Sequence, residues 1–154
     1  MTNKRVAVSG YFDPLHYGHI EYFRLAKKLA GRKGKVICIL NNDRQLLNKK
    51  PKIFMPMEQR RKILEAIKYI DEIYISIDED ESVCKSLQVV RPNIFAKGGD
   101  RFIYEIPERE ICELYGIRMV DKLGRKIESS SELVNKWEKK WEVICQHLHN
   151  YVID

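Results

Sequence analysis

Two imidazoles that frame a glycine are the first feature of this sequence able to do chemistry. They lie in Gly10-Tyr11-Phe12-Asp13-Pro14-Leu15-His16-Tyr17-Gly18-His19. The stretch joins an apolar, strand-like run over residues 5–10 to an apolar-periodic run over 18–30 that reads as a helix. A helix start offers N–H groups and the positive end of the helix dipole, so it favours an anion. Gly18 lets backbone approach that anion closely, and His16 and His19 add two donors directed at the same point. A phosphate fits this description. A lone loop histidine is more simply a cap or a core residue, whereas two in register with a glycine argue for a ligand.

Holding such residues in place needs a scaffold, and the rest of the chain alternates strand and helix. Strand patterns fall at 5–10, 35–40, 73–77, 93–96 and 117–120. Helical patterns fall at 18–30, from Pro56 to near Tyr69, at 82–90, at 107–115 and from Ser129 to about residue 150. Asn41-Asn42-Asp43 supplies turn chemistry, and a loop rich in lysine follows it. The expected fold is α/β: a five-stranded parallel, Rossmann-like sheet with helices on both faces. Such sheets bind ligands beyond the carboxyl ends of their strands, where the strand order reverses.

At 154 residues the chain is expected to form one domain over 1–154, with a core over about 5–134 and a C-terminal helix over 129–150. Hydrophobic residues make up 44% and charged residues 32%, which excludes a disordered or fibrous class. The longest apolar runs, such as Val36-Ile37-Cys38-Ile39-Leu40, fall far below the ~20 residues of a membrane span. Met1-Thr2-Asn3-Lys4-Arg5 leads straight into the first strand with no secretory pattern, so a cytoplasmic protein is expected. Cys38, Cys84, Cys112 and Cys145 are widely separated and form no C-x-x-C pair, which argues against a zinc site or a disulfide frame. The net charge of +6 is compatible with nucleic acid, an anionic membrane surface or phosphorylated small molecules. Many of the basic residues flank glycines, turns and the histidine pair, which favours a phosphate site over a membrane or nucleic acid.

The glycine-histidine stretch resembles the G-x-F-D-x-x-H-x-G-H signature of the cytidylyltransferase-like nucleotidyltransferases, and the resemblance runs from roughly Arg5 to Val134. It implies transfer of a nucleotidyl group from a nucleoside triphosphate to a phosphorylated acceptor, with release of pyrophosphate. It implies nucleotide contacts from Gly10, Tyr11, Phe12, Asp13 and Gly18, and catalytic roles for His16 and His19. Glu58-Gln59-Arg60 resembles the E-x-R helix of glycerol-phosphate cytidylyltransferases, which would turn Arg60 toward the phosphates. Lys49, Lys50 and Lys52 lie where relatives place a lysine that folds over the triphosphate, and the choice among them stays open, Lys49 and Lys50 leading. Lys97-Gly98-Gly99-Asp100 resembles the K-G-G-D turn of bacterial heptose 1-phosphate adenylyltransferases, whose backbone shapes the base pocket, although Arg101 departs from the aromatic residue usual there. Ser129, Ser130 and Ser131 are similar to the I-S-T-T stretch that holds the β and γ phosphates, with Arg125 and Lys126 near enough to assist.

The resemblance further implies a Mg²⁺ cofactor carried by the triphosphate, with Asp13 either orienting its loop or touching the metal, and a homodimer. CTP and ATP are both open as donors. The chain length and the Lys97-Gly98-Gly99-Asp100 turn favour a sugar, polyol or alcohol phosphate as acceptor. The alternatives are an adenylyltransferase acting on FMN, pantetheine phosphate or nicotinamide mononucleotide, or a noncatalytic nucleotide- or RNA-binding protein. The terminal helix carries Trp137 and Trp141 beside Lys136, Lys139 and Lys140, and the two indoles are expected to close the core or a dimer interface.

Overall fold

A computed structural model describes residues 3–99, 106–124 and 129–152. The β-branched, apolar runs form five strands: β1 (Arg5–Gly10), β2 (Lys35–Leu40), β3 (Glu72–Ile75), β4 (Ile94–Gly98) and β5 (Arg118–Leu123). All four strand pairings are parallel and the order is β3-β2-β1-β4-β5. The chain therefore builds outward from β1 on one side, then crosses back to β4, and the order reverses between β1 and β4.

Burial on both faces follows from the strand sequences. Val6, Val8, Val36, Cys38 and Leu40 turn to one face, where they pack with Phe23, Ala26 and Ala30 of α1 (Tyr17–Ala30) and Leu64 of α3 (Met57–Glu65). Ala7, Ile37, Ile39 and Phe95 turn to the other, against Leu87 and Val90 of α4 (Cys84–Val90) and Cys112 of α5 (Arg109–Tyr115). Period-2 alternation over strands whose two faces are both apolar is what a helix-covered parallel sheet requires. The α/β expectation holds.

Three local expectations change. Residues 43–49, read as a lysine-rich loop, form α2 (Asp43–Lys49). Asn42 is its N-cap and accepts from the Gln45 amide at 2.9 Å, while the Gln45 carboxamide accepts from the Asn42 amide at 3.0 Å. This reciprocal box outweighs the turn propensity of Asn41-Asn42-Asp43. Helix α3 stops at Glu65 rather than near Tyr69, because the amides of Ala66, Ile67 and Ile70 take carbonyls three residues back and tighten the chain into β3. Finally, α6 (Ser130–Val152) leaves the body: Trp137 and Trp141 are exposed and take no part in the core.

Candidate active site

The site grows from the carboxyl end of β1. Phe12 takes a left-handed backbone conformation (φ 53°), which folds its ring back over Gly10. A Cβ on Gly10 would lie 2.7 Å from that ring, so only glycine fits there. The Phe12 ring meets Phe23 at 5.1 Å and stands edge-on to the His19 ring at 4.9 Å. Asp13 is buried, and its carboxylate accepts from the amides of Phe54 (2.9 Å) and Met55 (2.6 Å). It therefore pins the 50–55 loop against the histidine loop.

His16 is the N-cap of α1 and His19 lies one turn in. Their rings stack with centroids 3.7 Å apart and 20° between planes. The His16 amide donates to His19 Nδ1 at 3.2 Å, so the neutral His19 ring carries its proton on Nε2. Burial, reinforced by the charges of His16 and Lys50, pulls the His19 pKa from its ordinary 6.5 down to about 3. His19 is thus a neutral N–H donor at physiological pH. It is held at a helix start that also presents the Tyr17 and Gly18 amides in its first turn.

The loop lysines separate by their contacts. Lys50 reaches the Asp13 carbonyl at 3.2 Å, and its charge is felt by His19. Lys49 lies over the Tyr11 ring at 4.9 Å. Lys52 pairs with Glu138 of α6, away from the histidines. Arg60 requires a correction. It is 1% exposed, and its guanidinium donates to the carbonyls of Met55 (3.0 Å), Tyr11 (2.7 Å) and Asn41 (2.9 Å) and to Asp43 (2.6 Å). A side chain committed to these four acceptors holds the loops together and does not face a phosphate.

Across the strand reversal, β1 and β4 pair only at Val6 with Ile94 and Ala7 with Phe95. Above that point the Tyr22 hydroxyl fills the gap: it accepts from the Ser9 amide at 3.3 Å and donates to the Ala96 carbonyl. Burial raises the Tyr22 pKa. Lys97 crosses the same gap, its Nζ 3.0 Å from Ser9 Oγ. Gly98 sits against the Tyr22 ring, where a Cβ would come within 3.0 Å, and Gly99 takes a left-handed φ of 69°. Asp100 and Arg101 lie outside the described residues, as do Arg125 and Lys126. Ser129 accepts from the Glu132 amide at 3.4 Å in an N-cap arrangement, Ser130 donates to the Pro14 carbonyl at 2.8 Å, and Ser131 is exposed. The start of α6 is thereby brought beside the histidine loop.

Tyr22, Asp43 and Asn41 were not singled out by sequence. A tyrosine amid a helical apolar stripe carries no sign that its hydroxyl bridges two strands. Asp43 followed two asparagines, which read as a turn.

Among the described residues no three acidic, histidine or cysteine side chains converge to hold a metal, and both Asp13 oxygens already take loop amides. The donor set therefore does not fit a protein-built metal cage, and Asp13 is not assigned as a metal ligand. No described helix is long and apolar enough to cross a membrane.

Two stacked imidazoles at a helix start and a cationic loop lie together at the reversal point of a parallel sheet, where nucleotidyltransferases of the α/β class carry out their chemistry. The chain belongs to the cytidylyltransferase-like family, which matches residues 7–149. It is 34% identical over 115 residues to FAD synthase of Ferroglobus placidus, covering 75% of this chain and 72% of that one. It is 28% identical over 144 residues to FAD synthase of Methanopyrus kandleri, covering 90% and 95%. Similarity to the bifunctional protein HldE of Hahella chejuensis is 30% over 140 residues, covering 88% of this chain and 28% of that longer one. The crystal structure of the lipopolysaccharide core biosynthesis protein from Thermoplasma volcanium superposes with a TM-score of 0.63 at 25% identity, covering 77% of this chain and 95% of that one.

Proposed function

We propose that this chain is an adenylyltransferase that joins ATP to FMN, forming FAD and releasing pyrophosphate. The observation that carries the transfer chemistry is the His16–His19 stack, which fixes a neutral Nε2–H donor at the start of α1. Relatives named FAD synthase support the acceptor. This reading replaces the expected sugar, polyol or alcohol phosphate. Chain length does not separate the acceptors, since the Methanopyrus kandleri FAD synthase is matched over 95% of its length by 144 residues. Nor does the glycine turn after β4, because such a turn works through its backbone.

A phosphate monoester such as that of FMN is largely dianionic at pH 7 and is already a nucleophile, so no general base is needed. One of its oxygens attacks the α-phosphorus of ATP. The bond from that phosphorus to the oxygen bridging to the β-phosphate breaks, and pyrophosphate leaves. Catalysis is then alignment plus charge stabilisation. His19 Nε2–H, His16 and the first-turn amides of α1 stabilise the α-phosphoryl oxygens, and Lys50 closes over the triphosphate from the 50–55 loop. Ser129, Ser130 and Ser131 hold the β and γ phosphates at the start of α6. Gly98 and Gly99 shape the base pocket beside Lys97. Mg²⁺ arriving on the triphosphate would supply further neutralisation. A cytoplasmic location fits these two small-molecule substrates.

A sugar phosphate acceptor retains one support, the likeness to a lipopolysaccharide core biosynthesis protein over 77% of the chain. The test is purified protein with Mg²⁺, ATP or CTP, and FMN or a panel of sugar phosphates, followed by chromatography of products and pyrophosphate release. FAD formed from ATP and FMN supports the proposal. Pyrophosphate release with a sugar phosphate but not with FMN overturns the acceptor. Triphosphate binding without turnover on any acceptor overturns the enzymatic reading.

A further inference from the structure

We infer that α6 is half of an antiparallel two-helix coiled coil formed with a second copy of this chain. Val134, Trp137, Trp141, Ile144 and Leu148 recur in alternating steps of three and four residues along one helix. That is the seam of a helix wound on another helix, narrower than the stripe by which a helix lies on its own core. The body does not cover it. Trp137 is 59% exposed, Trp141 57%, Ile144 40% and Leu148 58%. Near its start the helix is tied down through Ser130 to the Pro14 carbonyl and Glu138 to Lys52, with Leu133 and Val134 half-buried.

Charge distinguishes the occupants. From its first residue to Leu148, α6 carries Glu132, Glu138 and Glu142 against Lys136, Lys139 and Lys140, so the acidic and basic residues balance. A helix that lies on an anionic membrane or along nucleic acid needs basic residues on both flanks of its apolar seam, and this seam has Glu138 on one flank and Lys140 on the other. Area favours a second copy too. The four exposed seam side chains present roughly 450 Å² of apolar surface, taking large side chains at 150–250 Å² each, so two faces approach the ~1,000 Å² of a specific interface.

Side-chain size sets the direction. In a parallel pair each seam residue meets itself, which puts Trp137 on Trp137 and Trp141 on Trp141. In an antiparallel pair Trp141 faces Ile144 of the second copy and Trp137 faces Leu148. Every layer then sets a large side chain against a smaller one, as close packing requires. The same register brings Glu138 alongside Cys145 of the second copy, whereas a parallel pair would bring Lys140 there.

The test is sedimentation velocity of the full chain over a concentration series, with circular dichroism to follow the fold. A dimer is expected, and Trp141→Glu and Trp137→Glu should each halve the mass while leaving the melting of the body unchanged. Lys139→Glu, off the seam, should leave the dimer intact. In a Cys84→Ser background, a short bismaleimide should cross-link Glu138→Cys through the native Cys145 but not Lys140→Cys. A monomer at every concentration overturns the inference, as does a dimer that survives both tryptophan variants. Cross-linking of Lys140→Cys alone overturns the antiparallel direction, and a monomer that binds phosphatidylserine vesicles assigns the seam to a membrane. These readouts need no substrate, so they stand or fall separately from FAD formation.

Discussion

The Arg60 guanidinium lies 2.6 Å from the Asp43 carboxylate, and the arginine is fully buried while the aspartate stays about one-third exposed. Through the same group the ends of β1 and β2 and the 50–55 loop are joined, since the carbonyls of Tyr11, Asn41 and Met55 all accept from it. Replacing Arg60 by Met would leave the buried Asn41 carbonyl without its donor, take one from the half-buried Tyr11 and Met55 carbonyls, and leave the Asp43 carboxylate with the Met57 amide. The expected cost is about 2–3 kcal/mol of stability in urea unfolding, since one buried carbonyl loses its donor while the remaining carboxylate is partly solvated. Arg60→Lys should recover only part of it, because an ammonium cannot span the four acceptors. If Arg60→Met left stability unchanged and raised only the KM for ATP, the arginine would belong to the phosphates after all.

His19 gives the protein an acid-sensitive term with a definite sign. Its folded pKa is depressed to about 3 while the unfolded chain titrates near 6.5. Between those values the unfolded state binds a proton that the folded state refuses, so stability is lost as pH falls from 6.5 toward 3. The slope from this one group approaches ~1.4 kcal/mol per pH unit. His19→Gln should flatten the fall by that amount when unfolding free energies of the two proteins are compared from pH 7 to pH 4. Equal slopes would mean that His19 is protonated in the fold.

How much of this was legible in the sequence depends on whether the signal was local. The strand-helix alternation and the His16-Tyr17-Gly18-His19 string are short-range patterns, and both led to the observed sheet and the stacked imidazoles. Arg60 was not legible in the same way. In Glu58-Gln59-Arg60-Arg61 nothing separates a buried arginine from an exposed one, and only the tertiary arrangement turns Arg60 inward while Arg61 pairs with Glu58 and Glu65 on the surface. The Lys97-Gly98-Gly99 turn was no guide to the acceptor, because a turn able to act through its backbone can serve any acceptor class. Of the two places expected for Trp137 and Trp141, the core is excluded by their exposure, which helical spacing alone cannot reveal.

Lys50 and Lys49 are neighbours in sequence with different surroundings. Lys50 rests on the Asp13 carbonyl and its charge reaches His19, whereas Lys49 sits over the Tyr11 ring. Lys50→Ala should therefore lower kcat by ~10²-fold, in the range for one lost charge-stabilising donor, and Lys49→Ala by less than about tenfold. Steady-state pyrophosphate release with ATP and FMN decides it. The reverse ranking would move the closing cation one residue toward α2.

His16→Ala separates binding from transfer. His16 is the N-cap residue of α1 and its ring stacks on His19, and in the proposed reaction the ring donates to the phosphoryl oxygens. Its loss should lower kcat by ~10²–10³-fold while calorimetry still finds ATP bound, since a donor that acts mainly on developing charge contributes little to the ground state. The hydrogen bond from the His16 backbone amide to His19 Nδ1 survives this substitution, so the His19 tautomer is kept. Activity that falls only in step with ATP affinity would make His16 a binding residue alone. Activity within a few-fold of the unaltered protein would remove the stacked pair from the mechanism and leave the α1 amides and Lys50 as the main groups acting on the phosphate.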